Sequence, residues 1–339
     1  MKKINLYQIS PNKSDITSFY RGVGPYGKLA QSCKDLDIRF DEKLDIAQAF
    51  WCDVLVMQRP FLPEHLNIIQ TLKQLGKKVI VDYDDDVTNV PEHNPHQAAY
   101  NTQEVQFAIK SSIQLADMVT VSTETLKTEL AQYNKKIVVV PNALDSDLIK
   151  DPEIDWAKRN RMVLWRGGES HTNDLIQHQT QLLNLAKNHP EWLFEYFGGD
   201  KTYMNQILKV LMPKGNTHFS KTQSMLQYLK IMKQMAAPIM IVPLVDDVFN
   251  RSKSNIAWIE GTMNGSVAIV PDMDSWKAPG IINYTSHDDF EYQVSNLISN
   301  PLLLRGNWEA SFDYIKNNLD LKRVNKLRYE IINAVYESR

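Results

Sequence analysis

The stretch FNRSKSNIAWIEGTMNG, residues 249–265, lies between two apolar runs, PIMIVPL at 238–244 and SVAIVP at 266–271. Each run reads as a parallel strand buried on both faces. Between them Ile256, Ile259 and Met263 recur at helical spacing, and Gly265 stands where a glycine stop is expected. The spacing therefore predicts a helix that starts near Ser254 or Asn255. Its N-terminus projects from the carboxyl end of the preceding strand, the side on which open α/β sheets bind ligands. Free N–H groups at Ser252, Ser254 and Asn255, with Arg251 and Lys253 among them, suit a phosphate. Glu260 lies deeper, as a carboxylate able to accept hydrogen bonds from ribose hydroxyls.

Composition bounds the rest. A chain of 339 residues suggests two domains. A hydrophobic share of 43% and a charged share of 23% are ordinary for a globular protein with a large core. The net charge of −2 rules out a global basic field for nucleic acid, though not a local basic groove. Cys33 and Cys52 form no CxxC pair, so they read as free thiols rather than a disulfide or metal site. MKKINLYQIS reads as a first strand rather than a signal peptide, and no apolar run reaches the length of a membrane span. The expectation is a cytoplasmic protein without stable membrane insertion.

Along the chain, 4–9 is the first strand, and YRGVGPYG at 20–27 matches GxGxxG through Gly22, Gly24 and Gly27. The match is weak as a dinucleotide fingerprint. The loop before it is too long, Pro25 interrupts it, and no acid is placed to hold a ribose. The alternative is a glycine-rich cleft loop, with Arg21 as a nearby charge, ahead of a helix over 26–35. Strands follow at 53–58 and 78–83, with a helix at 63–75 between them. The second strand runs into Asp82, Asp84, Asp85 and Asp86, on the ligand side of the sheet. Such a cluster can face a substrate, bind a cation, act as a base or cap the next turn. His93 and His96 follow. After a helix over 103–115 comes ADMVTVSTETLKTELAQYNKKIVVVPNALD, residues 116–145, which reads strand, capped helix, strand, Pro-Asn loop.

The polar segment 151–161 reads as a linker. Strand 162–165 then runs into Arg166, Gly167 and Gly168, and Arg166 has the planar fork that suits phosphate oxygens. A helix over 174–186, a strand at 192–197, a helix at 205–212 and a strand at 217–220 come next. Phe219 either stacks on a base or belongs to the core. The apolar repeat Val324, Leu327, Ile331, Ile332 and Val335 marks a terminal helix over 321–336.

The PNALD ending of 116–145, the Arg166 turn and the 249–265 stretch resemble the glycosyl transferases group 1 family of GT-B fold glycosyltransferases. The resemblance implies an α/β protein with two doubly wound Rossmann-like domains facing across a cleft. It implies an acceptor-side domain over 1–152, a nucleotide-sugar domain over 153–318 and a crossover helix over 319–339 that packs back on the first domain. It implies transfer of a sugar from a nucleotide-diphosphate sugar, UDP-sugar favoured, with retention and without a metal or other cofactor. Arg166, Gly167, Lys253, Ser254 and Asn255 would hold the donor diphosphate, Glu260 the ribose and Phe219 the base. Gly22 and Gly24 would face the donor sugar, and Asp84 and Asp85 the reacting sugar and acceptor. The family carries two glutamates with seven residues between them; Glu260 matches the second and Ser252 replaces the first. The acceptor is open: a saccharide, small molecule, protein, or modified DNA such as the hydroxymethylated bases used by compact phage-type members. The alternatives are a sugar-nucleotide epimerase of GT-B shape and a non-catalytic nucleotide-binding module.

Overall fold

The computed structural model describes residues 3–10, 12, 16–198, 215–221 and 223–338. The helix expected at 205–212 lies outside them. Two parallel six-stranded sheets organise the chain. The first contains β1 (Ile4–Ile9), β2 (Leu36–Asp41), β3 (Val54–Gln58), β4 (Lys78–Tyr83), β5 (Met118–Val121) and β6 (Ile137–Val139), in the order β2-β1-β3-β4-β5-β6. The second contains β7 (Met162–Arg166), β8 (Leu193–Phe197), β9 (Thr217–Ser220), β10 (Ile239–Ile241), β11 (Val267–Pro271) and β12 (Ile282–Tyr284), in the order β12-β11-β10-β7-β8-β9. The strand order reverses beside β1 in the first sheet and between β7 and β10 in the second. Crevices at such reversals are where doubly wound sheets take ligands.

The continuous apolar runs are central strands because both faces are covered. β3 is buried along its whole length, as are β10 and β11. Separate side-chain clusters fill the two faces of each sheet. The helix Leu321–Glu337 puts Leu321, Val324, Ile331, Ile332 and Val335 into the cluster that contains Ile4, Leu6 and Val54. Asn325 Nδ2 donates to the Pro25 carbonyl at 2.8 Å, so this last helix returns to the first sheet.

Several local expectations need correction. Strand β2 and the helix Ile46–Trp51 were not anticipated. β2 (LDIRFD) is a half-exposed edge strand whose alternating charges hide its apolar face. The glycine-rich stretch is no loop. Helices Ile16–Arg21 and Val23–Ser32 flank Gly22, and Gly24 and Gly27 lie within the second. A Cβ on Gly22 would come 2.0 Å from Ser10 Oγ, so the glycine is needed for helix-to-sheet contact. The helix expected over 174–186 is two, Thr172–Gln177 and Gln179–Asn188, meeting at His178. A short helix, Val248–Ser252, precedes Ile256–Met263, and Asp247 Oδ1 caps it by accepting from the Asn250 N–H at 2.7 Å.

Candidate active site

The loops after β7 and β10 meet those after β1 and β4 around a cleft of about 250 Å³. Arg166, Gly168, Ser170, His171, Lys253, Ser254, Ile256 and Ala257 line it from the second half of the chain. Tyr20, Arg21, Asp84, Asp85 and Asn142 line it from the first. At the cleft, hydrogen bonds cross between the halves. Tyr20 OH donates to Glu260 Oε1 at 2.6 Å, Asn142 Nδ2 to Ser254 Oγ at 2.8 Å, and Thr123 Oγ1 to the Ser252 carbonyl at 2.9 Å.

On the second half, Arg166 ends β7. Gly167 lets the chain turn tightly over Trp165, since a Cβ there would meet that indole at 2.5 Å. The Arg166 side chain is 13% exposed, and its Nη2 lies 2.6 Å from Glu260 Oε2. Nε and Nη2 are both buried without a hydrogen-bond partner among the described residues. Burial works against the guanidinium charge, but Glu260, Tyr228 and Tyr20 outweigh it and hold Arg166 charged. The helix Ile256–Met263 opens at Asn255, whose side chain does not cap it, so its first N–H groups face the cleft side uncapped.

Glu260 is not an open carboxylate. It is 1% exposed. Tyr20 OH donates to one oxygen and Tyr228 OH to the other, both at 2.6 Å, and Arg166 presses on the second. Burial and the Glu260 charge push both phenols well above their usual range. The residue thus braces Arg166 and, through Tyr20, bridges the halves, with both oxygens engaged where the expectation had an open carboxylate facing a ribose. Ser252 is fully buried, and its Oγ is buried without a hydrogen-bond partner among the described residues. Gly22 and Gly24 do not line the cleft, and Phe219 packs half-buried against the core of the second sheet.

The acidic cluster divides by partner. Asp82 is buried and receives Arg21 in a two-pronged pair, Nε–Oδ1 at 3.0 Å and Nη2–Oδ2 at 2.6 Å, with Thr120 Oγ1 donating to Oδ2 at 2.6 Å. Arg21 also donates to the Val140 carbonyl and to Asn142 Oδ1. Asp86 caps its own turn through Thr88 and Asn89. Asp84 and Asp85 face the cleft. Arg59 Nη2 reaches Asp84 Oδ1 at 2.5 Å and Asp85 Oδ2 at 3.4 Å, and Lys253 Nζ lies 3.5 Å from Asp85 Oδ1. Burial raises Asp84 above the usual carboxylate range despite Arg59, and the neighbouring Asp85 charge adds to the rise. Burial also pushes Asp85 up, but Lys253, Arg59 and His171 prevail and hold it below that range. Among the described residues, no group of three or more His, Cys, Asp or Glu side chains is arranged to hold a metal ion.

Some residues at or behind the cleft carried no sequence assignment. Arg59 follows β3 with φ +47°, and its partners lie 25 and 26 residues further on. His171 Nδ1 meets Asp174 Oδ2 at 2.8 Å, and the buried Asp174 also accepts from the Val245 N–H and from Asn250 Nδ2. This locks the turn after β7 to the turn after β10. The His-x-x-Asp spacing at the start of a helix was the available signal for that pair.

No protein-family model matches the chain, and no curated protein does. Solved structures do. A glycosyltransferase from Rickettsia africae is 13% identical, with all of both chains covered and a TM-score of 0.69. HepE from Anabaena, in complex with UDP and glucose, is 10% identical over 98% of this chain and 100% of that one, with a TM-score of 0.68. An alpha-glucosyltransferase in complex with UDP and a 13-mer DNA containing an HMU base is 10% identical over the same shares, with a TM-score of 0.64. Two parallel sheets facing across a cleft, in the arrangement of these glycosyltransferases, define the GT-B fold. The chain has that fold from end to end.

Proposed function

We propose that the chain is a glycosyltransferase that takes a sugar from a nucleoside diphosphate, UDP favoured, and passes it to a hydroxyl group. The halves at 1–152 and 153–318 act as acceptor side and donor side, and 319–339 ties them together. The observation that carries the reading is the convergence of Arg166, whose buried Nε has no hydrogen-bond partner among the described residues, Lys253 and the uncapped start of the helix Ile256–Met263 on one cleft at the strand reversal of the second sheet. Such a set stabilises the charge that gathers on a departing diphosphate. The solved structures containing UDP support the choice of nucleotide.

In the reaction, the bond between sugar C1 and the diphosphate oxygen breaks, and its electron pair leaves with the diphosphate. A bond forms from the acceptor oxygen to C1 on the same face, and the acceptor proton passes to the leaving phosphate oxygen. Arg166 and Lys253 neutralise the leaving group, and Glu260 keeps Arg166 aimed. Asp84 and Asp85, held by Arg59, sit across the cleft, where the sugar and acceptor meet. No step is assigned to a metal. Ser252, in place of an acid, favours the second reading, a binding module of the same shape. UDP release from a panel of UDP-sugars separates the two. Catalysed release supports transfer, whereas tight UDP binding without release supports the binding module.

A further inference from the structure

A second recess of about 510 Å³ opens beside the cleft, between the segment that follows β4 and the start of the helix Val248–Ser252. Phe249 separates the two spaces. Its ring lines the recess and carries Lys253 Nζ at 4.4 Å, and Lys253 lines the cleft. We infer that this recess seats the acceptor, and that the acceptor is a neutral saccharide rather than a polyanion. The inference rests on the glycosyl-transfer reading and names the substrate class for it.

Three observations carry it. The first is charge. Among the described residues that line the recess, Asp247 is the one charged side chain, and there is no lysine or arginine. A phosphate-rich chain binds by neutralising its charges with basic residues, and this wall supplies none. The second is hydrogen-bonding sense. Gln106 Oε1 and Asp247 Oδ2 are buried and have no hydrogen-bond donor among the described residues. The orientation of the Gln106 amide is fixed, because Nε2 donates to the Val87 and Tyr100 carbonyls at 2.9 and 3.1 Å. The partner these oxygens lack is a donor, and hydroxyl groups supply donors where phosphates supply acceptors. His93 Nε2, 3.9 Å from Asp247 Oδ2, is too far to be that donor. The third is shape. Val90, Pro91, Val248 and Phe249 give the recess apolar faces between its polar edges, the pattern that accepts the C–H face of a sugar ring while its hydroxyls are bonded.

The test measures UDP release from the best UDP-sugar donor, with and without acceptors. The acceptors are methyl glucoside, N-acetylglucosamine, lactose and maltotriose on one side, and a 13-mer duplex containing hydroxymethyluracil on the other. Failure of any UDP-sugar to bind or to release UDP would defeat the glycosyl-transfer reading itself, and is seen before any acceptor is added. With release established, at least one neutral saccharide is expected to accelerate it. In Gln106→Leu and Val248→Trp, the ratio of transfer to hydrolysis is expected to fall about tenfold, equivalent to about 1.4 kcal/mol. Val248 is exposed, so its replacement folds even if Gln106→Leu does not. Acceleration by the duplex alone, by no acceptor, or by saccharides with the ratio unchanged in Val248→Trp would each overturn the inference.

Discussion

The two rims of the cleft use charge in opposite ways. On the first half, charges are paired within the rim: Arg21 with Asp82, Arg59 with Asp84 and Asp85, and Asp86 with its own turn. On the second half, Arg166 has one buried carboxylate at its Nη2 and, among the described residues, no hydrogen-bond partner at its Nε, and Lys253 reaches the cleft with Asp85 only at 3.5 Å. A rim whose cations are paired internally holds geometry. A rim whose cations are incompletely bonded holds an anion. The difference supports the proposal that a diphosphate binds on the second half, with the first left for uncharged chemistry.

The largest expected effect breaks the paired rim. Arg21→Ala leaves Asp82 buried without its counter-ion, and urea denaturation should show a loss of about 3–5 kcal/mol of stability. Next is the open rim. Arg166→Ala should lower kcat/KM for donor turnover by about 100–1000-fold, the scale of a lost electrostatic stabiliser, with Lys253→Ala in the same direction but smaller. Glu260→Gln should both weaken UDP and lower stability by about 1–3 kcal/mol, because it strands Arg166 and two buried phenols. If it weakens UDP with stability untouched, Glu260 meets the nucleotide directly. Asp84→Asn and Asp85→Asn should slow turnover while UDP still binds; unchanged turnover in both would reduce the pair to a structural brace.

Acidity sharpens the same contrast. Asp84 is raised in the folded protein, so stability falls as pH rises from its unfolded value of about 3.9 through its folded value. Asp85 is lowered, so the stability it contributes is present above about 3.9 and is lost as pH falls through its folded value. Asp84→Asn should therefore flatten the loss of stability seen in urea titrations on going from about pH 4 upward, while Asp85→Asn should flatten the acid-side loss below it. The smallest expected effect is that of chelation: EDTA should leave donor turnover unchanged, and restoration of an EDTA-sensitive activity by Mg²⁺ or Mn²⁺ would contradict the metal-free reading.

Much of the fold was legible because buried parallel strands write themselves as apolar runs. β1, β4 and β9 fall where periodicity put them, and the helix Ile256–Met263 begins where its spacing predicts. β2 was hidden because an edge strand with Asp37, Arg39 and Asp41 has no such run. That Arg166, Lys253 and Ser254 would lie at a cleft was legible from their position after strands. The partners of Glu260 were not, since Tyr20 is 240 residues away and Tyr228 is 32 away, and no local pattern marks a carboxylate whose oxygens are both taken. Gly22 and Gly24 misled for a related reason. A glycine that permits close packing and one that cradles a ligand look alike in sequence, and the contacts tell them apart: Ser10 Oγ at Gly22 and the Phe19 carbonyl at Gly24.

The central claim is that the second half grips a nucleoside diphosphate through Arg166 and Lys253. Calorimetric titration of UDP onto the wild-type protein and onto folded Arg166→Ala and Lys253→Ala variants tests it most directly. The account predicts saturable binding by the wild type, weakened in each variant by about 1.5–3 kcal/mol, the worth of a charged hydrogen bond. Undiminished UDP binding in both variants, or no binding of UDP, GDP or ADP by the wild type, would contradict it.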